Sequence, residues 1–423
     1  MTDLVDHPRK HETRRDGSDR LSRLAVCTAV ALLVLSFMLN AMDRQLFYPL
    51  LPSIRLDYGL SLQQGGLLAT GFTLGMAIAG LVAGYLSDRF SRKAVIVASV
   101  VVYSLGTIAT PLAKGFVDML VYRLVSGFGE GMQAAALFAA LGAFFHRRRS
   151  LAMGGLVTAF GVGVFFGPLA GTAFAEASGT WRTPFVWFGA AGLVVAAAIG
   201  LLVRRGVTER ATRTAPGTAA DLAHVPDTLL NRNSVALSVT SAIGGLVFYG
   251  FLGLYPSFLK MELHFTVGQT ALAASLVGLG ATFSLLGGWL GDSVDQRKLL
   301  IFTYLMVSAI GVATYLGPTA PGWQYLLAFS MGVFASGFLF TNCTSAIQRA
   351  VRPERVGMAA GLFVSSYYVA AACSGLLFAT LAETLGWRGA GFWQIGMLPL
   401  AGVVALLFVR SDQQHTGKPA VAG

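Results

Sequence analysis

The chain has 423 residues, 55% hydrophobic and 12% charged, with a mean hydropathy of +0.65 and a formal net charge of +11. That balance excludes a soluble globular domain. The basic excess is spread over loops and not gathered on one folded face, which excludes nucleic acid as the partner. Residues 1–23 are polar and charged and are expected to form a disordered N-terminal tail. Apolar stretches of about 20 or more residues follow, each long enough as a helix to cross a hydrocarbon core roughly 30 Å thick. Twelve are expected, near 25–52, 63–87, 94–113, 116–145, 151–174, 183–204, 234–260, 268–290, 298–318, 322–347, 357–383 and 389–409. The first run is too long for a signal-peptide core and no small-residue cleavage site follows it, so it reads as a retained helix. Period-2 alternation is absent, which argues against a membrane barrel.

The polar stretch 205–233 divides six spans from six. The expected organisation is therefore an N-terminal six-helix bundle over 24–204, a central loop over 205–233, a C-terminal bundle over 234–410 and a tail over 411–423. Of the 31 Lys and Arg residues, only Arg55, Lys114, Arg182, Lys260 and Arg388 fall on one side of the membrane, while Arg44 and Arg123 lie within helices. All the others share the side of the N-terminus. By the positive-inside rule both termini and the central loop are cytoplasmic, as expected of a multi-pass protein of the inner (plasma) membrane.

Internal repeats support two copies in the same orientation. FYPLLPS at 47–53 echoes FLGLYPS at 251–257, and LSLQQGGLLAT at 60–70 echoes FTVGQTALAAS at 265–275. GYLSDRFSRK at 84–93 echoes GWLGDSVDQRK at 288–298 when one insertion is allowed, and RSLAMGGL at 149–156 echoes RVGMAAGL at 355–362. The fold class expected is an all-α membrane protein of twelve transmembrane helices in two six-helix pseudo-repeats, an arrangement that lets two bundles rock about a midplane site.

GYLSDRFSRK, with Gly84, Asp88, Arg89, Arg92 and Lys93 between spans 2 and 3, resembles the signature loop of the major facilitator superfamily, Ser91 standing where that loop has its second glycine. Twelve spans, a central loop and a weaker copy of the motif at Asp292 extend the resemblance over the chain outside the tails. In that family the loop forms part of a cytoplasmic gate, its acidic residue meeting the end of a helix from the other half. The resemblance implies the same role for Asp88 and Asp292.

LNAMDRQLFYP places Asp43 and Arg44 side by side in the first apolar run, and YRLVSGFGEG places Arg123 and Glu130 in the fourth. Seven residues at about 100° each bring Arg123 and Glu130 back to one helical face, roughly 10 Å apart. A charge at the bilayer centre costs about 3 kcal/mol on insertion scales, so such residues face a cavity, pair, or do both. An ion pair pinning span 1 to span 4, for instance Asp43 with Arg123, is the purely structural alternative. At an offset of 204 residues, Asp43 and Arg44 correspond to Val247 and Phe248, so the fold itself does not need the charges.

Arginine offers a fixed fork of donors that suits a carboxylate, which makes Arg44 and Arg123 candidate anion holders. Desolvation favours the neutral form of a carboxyl group, which makes Asp43 and Glu130 candidate protonation sites. Asp-Arg on span 1 with Arg-x-x-x-Gly-x-Gly-Glu on span 4 resembles the anion:cation symporter branch, which carries sugar acids and other organic anions. That resemblance implies substrate contact by Arg44, proton coupling by Asp43 and Glu130, and a bridge between them by Arg123. The same residues also resemble the Spinster-like branch, which moves lysolipids and other amphiphiles. Gly154, Gly163, Gly167, Pro168 and Gly171 on span 5 fit the spacing of proton-coupled drug exporters, with Thr172 where a glycine is expected; small-residue packing is the alternative account.

Gln133 and Asn40, one turn from Glu130 and Asp43, are placed to hydrogen-bond those carboxylates, and both join the substrate-site candidates. In the C-terminal half Tyr249, Asn342, Ser365, Tyr367 and Tyr368 are the candidates for substrate contact. Neither a HExxH run nor a GxSxG elbow is present, and the histidines fall in tails and loops, so no enzyme activity is expected. Cys27, Cys343 and Cys373 lie singly in separate spans and offer neither a disulfide frame nor a metal site. No cofactor is expected beyond protons as the coupling ion. The chain is thus expected to be a lipid-embedded monomer that imports a small organic anion with protons.

Overall fold

The computed structural model describes residues 23–209 and 224–414, apart from the side chains of Leu62 and Val267. The expected N-terminal tail, most of the C-terminal tail and the middle of the central loop therefore lie largely outside the described residues. The spans of the first half are α1 (Arg23–Tyr58), α2 (Leu62–Arg89), α3 (Arg92–Ala109), α4 (Phe116–Phe144), α5 (Arg149–Ser178) and α6 (Arg182–Leu202). The second half has α7 (Arg232–Met261), α8 in two segments (Val267–Ala281 and Ser284–Ser293) and α9 (Gln296–Leu316). In α10 a widened π segment, Gly332–Phe340, joins Pro321–Met331 to Thr341–Arg349. The helix Val356–Gly391 breaks at Gly386, whose φ of 70° and ψ of 172° turn the chain back. Residues 356–385 are therefore α11. A further helix, α12, runs over 387–407 through a second π turn at Phe392–Met397. Among the described residues twelve helices are long and apolar enough to cross a membrane, the stretch Pro353–Leu407 supplying two of them.

Local sequence sets the helix ends. Ser61 and Gln64 cap the start of α2 reciprocally, and Thr266 and Gln269 do the same for α8. Ser91 accepts from the Ala94 N–H at the start of α3, and Asp295 accepts from Lys298 at the start of α9. These two caps are 204 residues apart, the same offset as Gly84 to Gly288 and Asp88 to Asp292. The insertion allowed in aligning the two loops is therefore unnecessary: Arg92 pairs with Gln296 and Lys93 with Arg297. The first helix runs six residues beyond the expected 52, because Pro49 and Pro52 are accommodated inside it and Gly59, at φ 62°, supplies the stop.

The halves repeat each other in packing. In the first, α1 lies on α5, α2 on α4, and α3 on α4 and α6. In the second, α7 lies on α11, α8 on α10, and α9 on α10 and α12. Two contacts related by the same pseudo-symmetry join the halves, α2 against α11 and α5 against α8. Both depend on glycine: a Cβ on Gly361 would stand 2.2 Å from the Gly80 carbonyl oxygen, and one on Gly154 2.3 Å from that of Ser284. Backbone approach of this kind is how helices associate where lipid removes the hydrophobic drive.

Candidate functional site

Four charged side chains in the middle of the first half are almost fully withdrawn from the surface: Asp43 at 2%, Arg44 at 3%, Arg123 at 1% and Glu130 at 0% exposure. Arg44 is the hub. Its Nε donates to Glu130 Oε2 at 3.0 Å, its Nη2 to Asn40 Oδ1 at 3.0 Å, and its Nη1 to the hydroxyls of Tyr249 at 3.2 Å and Tyr368 at 3.1 Å. The guanidinium also lies 5.3 Å from the ring centroid of Phe160 and 5.6 Å from that of Tyr368. One side chain of α1 thus ties α4 to α7 and α11, across the two halves.

Asp43 sits differently. Thr107 on α3 donates to its Oδ2 at 2.6 Å, and the Thr107 hydroxyl is 3.1 Å from that of Ser126. Its other oxygen, Oδ1, and Oε1 of Glu130 are both buried without a partner.

The bridge expected of Arg123 is not made. Arg123 has no ion pair within 4 Å to either carboxylate, and its Nε and Nη1 are buried without partners. Its guanidinium is instead clasped between Phe47 and Phe72, 4.3 and 4.2 Å from the ring centroids. Arginine over an aromatic face gains by cation–π attraction, most strongly when dry. Two phenylalanines in apolar helices carry no sequence signal of such a role. The ion pair of Asp43 with Arg123 is likewise absent; the pair that forms is Arg44 with Glu130.

Asn40 and Gln133 do not bond the carboxylates, as expected of them, but each other. Asn40 Nδ2 donates to Gln133 Oε1 at 2.8 Å, and Gln133 Nε2 to Ser36 at 3.0 Å. Asn40 reaches Glu130 only at its backbone carbonyl, at 3.4 Å. Tyr249 and Tyr368 meet at Arg44. Tyr367 lines a narrow cavity between the halves, of about 10 Å³, together with Phe37, Phe160 and Phe340, and its hydroxyl is buried without a partner. Ser365 lies elsewhere: its hydroxyl donates to the Ala77 carbonyl and accepts from the Leu81 N–H, binding α11 to α2. Asn342 is also apart, donating to the carbonyls of Gly287 and Phe338 and accepting from Gln296. Its expected neighbourhood was wrong because helical position alone does not fix depth.

Asn342 belongs to the end where the halves close. There Asp88 accepts from the N–H groups of Gly357 and Met358, both at 2.8 Å, at the start of α11. Asp292 accepts from those of Ser150 at 3.0 Å and Leu151 at 2.9 Å, at the start of α5, and pairs with Arg349. A carboxylate on the free N–H groups and positive dipole end of a helix is a favourable anion site. Gly84 permits the first contact, since a Cβ there would lie 2.9 Å from the Gly357 oxygen. Arg92 is 3.9 Å from Asp88, and Arg89 turns outward to the Tyr85 hydroxyl. Sequence reasoning missed Glu209, beyond the end of α6. It accepts from the N–H groups of Arg92 at 3.1 Å and Lys93 at 2.9 Å and from the Ser91 hydroxyl at 2.8 Å. Lying in a polar loop without periodicity, it offered no pattern to read. At the opposite end of the bundle a cavity of about 710 Å³ opens beside Ser53, Asp57, Glu176 and Arg182.

The sequence model of the Major Facilitator Superfamily matches residues 33–372 and again 237–423. The chain is 27% identical over 419 residues to a hexuronate transporter of Bacillus subtilis, covering 92% of this chain and 96% of that protein. It is 25% identical over 400 residues to a cis,cis-muconate transport protein of Acinetobacter baylyi, covering 90% and 93%. Among solved structures it resembles a human organic anion transporter, with a TM-score of 0.73, 19% identity and coverage of 90% of this chain and 99% of that one. A proton:xylose symporter gives a TM-score of 0.71 at 15% identity, covering 91% and 95%. At these identities the two structures bear on the fold.

Proposed function

The chain belongs to the major facilitator superfamily, and from that premise we propose that it is a proton-coupled symporter of a small organic anion, working by alternating access in the inner membrane. One observation carries the reading. Arg44 is a buried cation whose donors are held by a carboxylate, an amide and two tyrosine hydroxyls drawn from both halves. A substrate carboxylate is a better acceptor for a guanidinium than a neutral hydroxyl, so it displaces Tyr249 and Tyr368 and is felt by both bundles at once. Protonation of Glu130 withdraws its competing charge from Arg44, which couples proton uptake to anion capture. Asp43, buried with one oxygen unpartnered, serves as the second proton position. The names of relatives that transport hexuronate and muconate support an anionic cargo.

With the Lys- and Arg-rich loops in the cytoplasm, the closed end is the inner one. Asp88 and Asp292 then latch an inner gate. The test is uptake of labelled carboxylates into proteoliposomes with an acid exterior, beside a neutral amide analogue of each. The expected result is accumulation of an acid, absent for its amide and lost in Arg44→Lys, whose point charge lacks the planar fork. Equal transport of the acid and its amide would exclude the reading.

A further inference from the structure

The chemistry of the walls beside Arg44 narrows the cargo further. Seven of the nine residues around the central cavity are aromatic, the others being Val157 and Ser336. Their rings meet edge to face: Tyr249 and Tyr367 at 79°, Tyr249 and Tyr368 at 80°, Phe340 and Tyr367 at 87°. The π segment of α10 contributes Ser336 and Phe340 to this wall, a helical irregularity of the kind that often marks a binding region. Ring faces and edges so arranged receive another flat π system by stacking and edge contacts.

Polar partners in the same place are few. The hydroxyls of Tyr249 and Tyr368, which accept from one nitrogen of Arg44 until a carboxylate displaces them, and that of Ser336 are three. The amides of Asn40 and Gln133 are spent on each other, on Arg44 and on Ser36. Tyr367 keeps a free buried hydroxyl. A sugar acid brings a hydroxyl on nearly every carbon, and each one taken from water without a partner weakens binding. A planar unsaturated acid brings none that needs satisfying. Resting on the anion reading above, we infer that the site selects planar unsaturated carboxylates, aromatic or dienoic acids, over polyhydroxylated sugar acids. Once the narrow cavity widens to admit the cargo, the carboxylate sits on Arg44 and the π system lies among Phe37, Phe160, Phe340 and Tyr367.

The experiment is titration calorimetry of the purified full-length protein with cinnamate, benzoate, glucuronate, galactonate and benzamide, in a buffer free of carboxylates. Cinnamate and benzoate are expected to bind at least tenfold more tightly than either sugar acid, with no binding of benzamide. Sugar acids binding as tightly as cinnamate overturn the inference and leave the anion reading standing. Benzamide binding as well as benzoate overturns the anion reading itself. The variant Phe340→Leu keeps the bulk of the wall and removes one π face. It is expected to weaken cinnamate several-fold more than glucuronate, and equal loss for both acids would count against aromatic selection.

Discussion

Nε of Arg44 donates to Oε2 of Glu130 at 3.0 Å, and both side chains are buried. The cation that receives an anion in the proposed cycle is therefore already claimed by the carboxylate that receives a proton. In that proposed cycle two acceptors compete for one guanidinium, a proton on Glu130 decides between them, and no separate relay is needed.

Replacing that carboxylate by its amide isolates the coupling. Glu130→Gln keeps an oxygen facing Arg44 but can neither bind nor release a proton. Accumulation of substrate driven by a pH gradient is expected to disappear, while exchange of labelled for unlabelled substrate without a gradient persists. Both are read in the same proteoliposomes. Unchanged uphill accumulation would show that Glu130 is not the coupling group.

How far the sequence announced this site depends on the kind of residue. Charges inside apolar runs stand out, so Asp43, Arg44, Arg123 and Glu130 were all visible, as were the two signature loops around Asp88 and Asp292. Which cation takes which carboxylate was not visible, because Arg44 and Arg123 differ in reach by amounts that a helical wheel does not resolve. The partners Tyr249 and Tyr368 lie 205 and 324 residues from Arg44 along the chain, a pairing no local pattern encodes. Asn342 and Ser365 read as cargo contacts because they are polar in apolar surroundings; both are occupied in holding helices together. Polar side chains in lipid serve packing as readily as transport.

The closed end should loosen when either helix-start carboxylate is weakened. Asp88→Asn retains one acceptor oxygen for the two N–H groups of Gly357 and Met358 and loses the charge that complements the start of α11. Nitroxide labels at Arg148→Cys and Glu354→Cys, on loops of opposite halves, report the separation in a background lacking Cys27, Cys343 and Cys373. A longer and broader distance distribution is expected in Asp88→Asn, and an identical distribution would remove Asp88 from the latch.

Glu209 ties the beginning of the central loop to the first turn of α3 through three hydrogen bonds. Glu209→Ala leaves the N–H groups of Arg92 and Lys93 without that acceptor, a loss of about 1 kcal/mol by analogy with capping side chains. A modest fall in the thermal unfolding midpoint is expected, reversed in part by Glu209→Gln. Since Lys93 and Arg92 flank the Asp88 latch, the Arg148 to Glu354 distance should broaden as well. A midpoint unchanged in Glu209→Ala would mean that water replaces the carboxylate without loss.

Arg123 poses the opposite case, a group whose removal should help the fold and harm the function. Its charge is buried at 1% exposure, two of its nitrogens have no partner, and neither carboxylate is within 4 Å. The effective penalty for taking an ion out of water is several kcal/mol, whereas the contacts with Phe47 and Phe72 return roughly 2 kcal/mol. Arg123→Met removes that penalty and keeps an unbranched, polarisable side chain between the two rings. Glu130 retains Arg44, and Asp43 retains Thr107, so neither carboxyl group loses its present hydrogen bond. The unfolding midpoint is expected to hold or rise, with transport reduced at least tenfold. A protein so costly to keep charged at this position has a reason to do so if Arg123 holds the electrostatic balance of the two carboxyl groups as their protons come and go. A lower midpoint with transport intact would instead make the aromatic clasp a device of the fold alone.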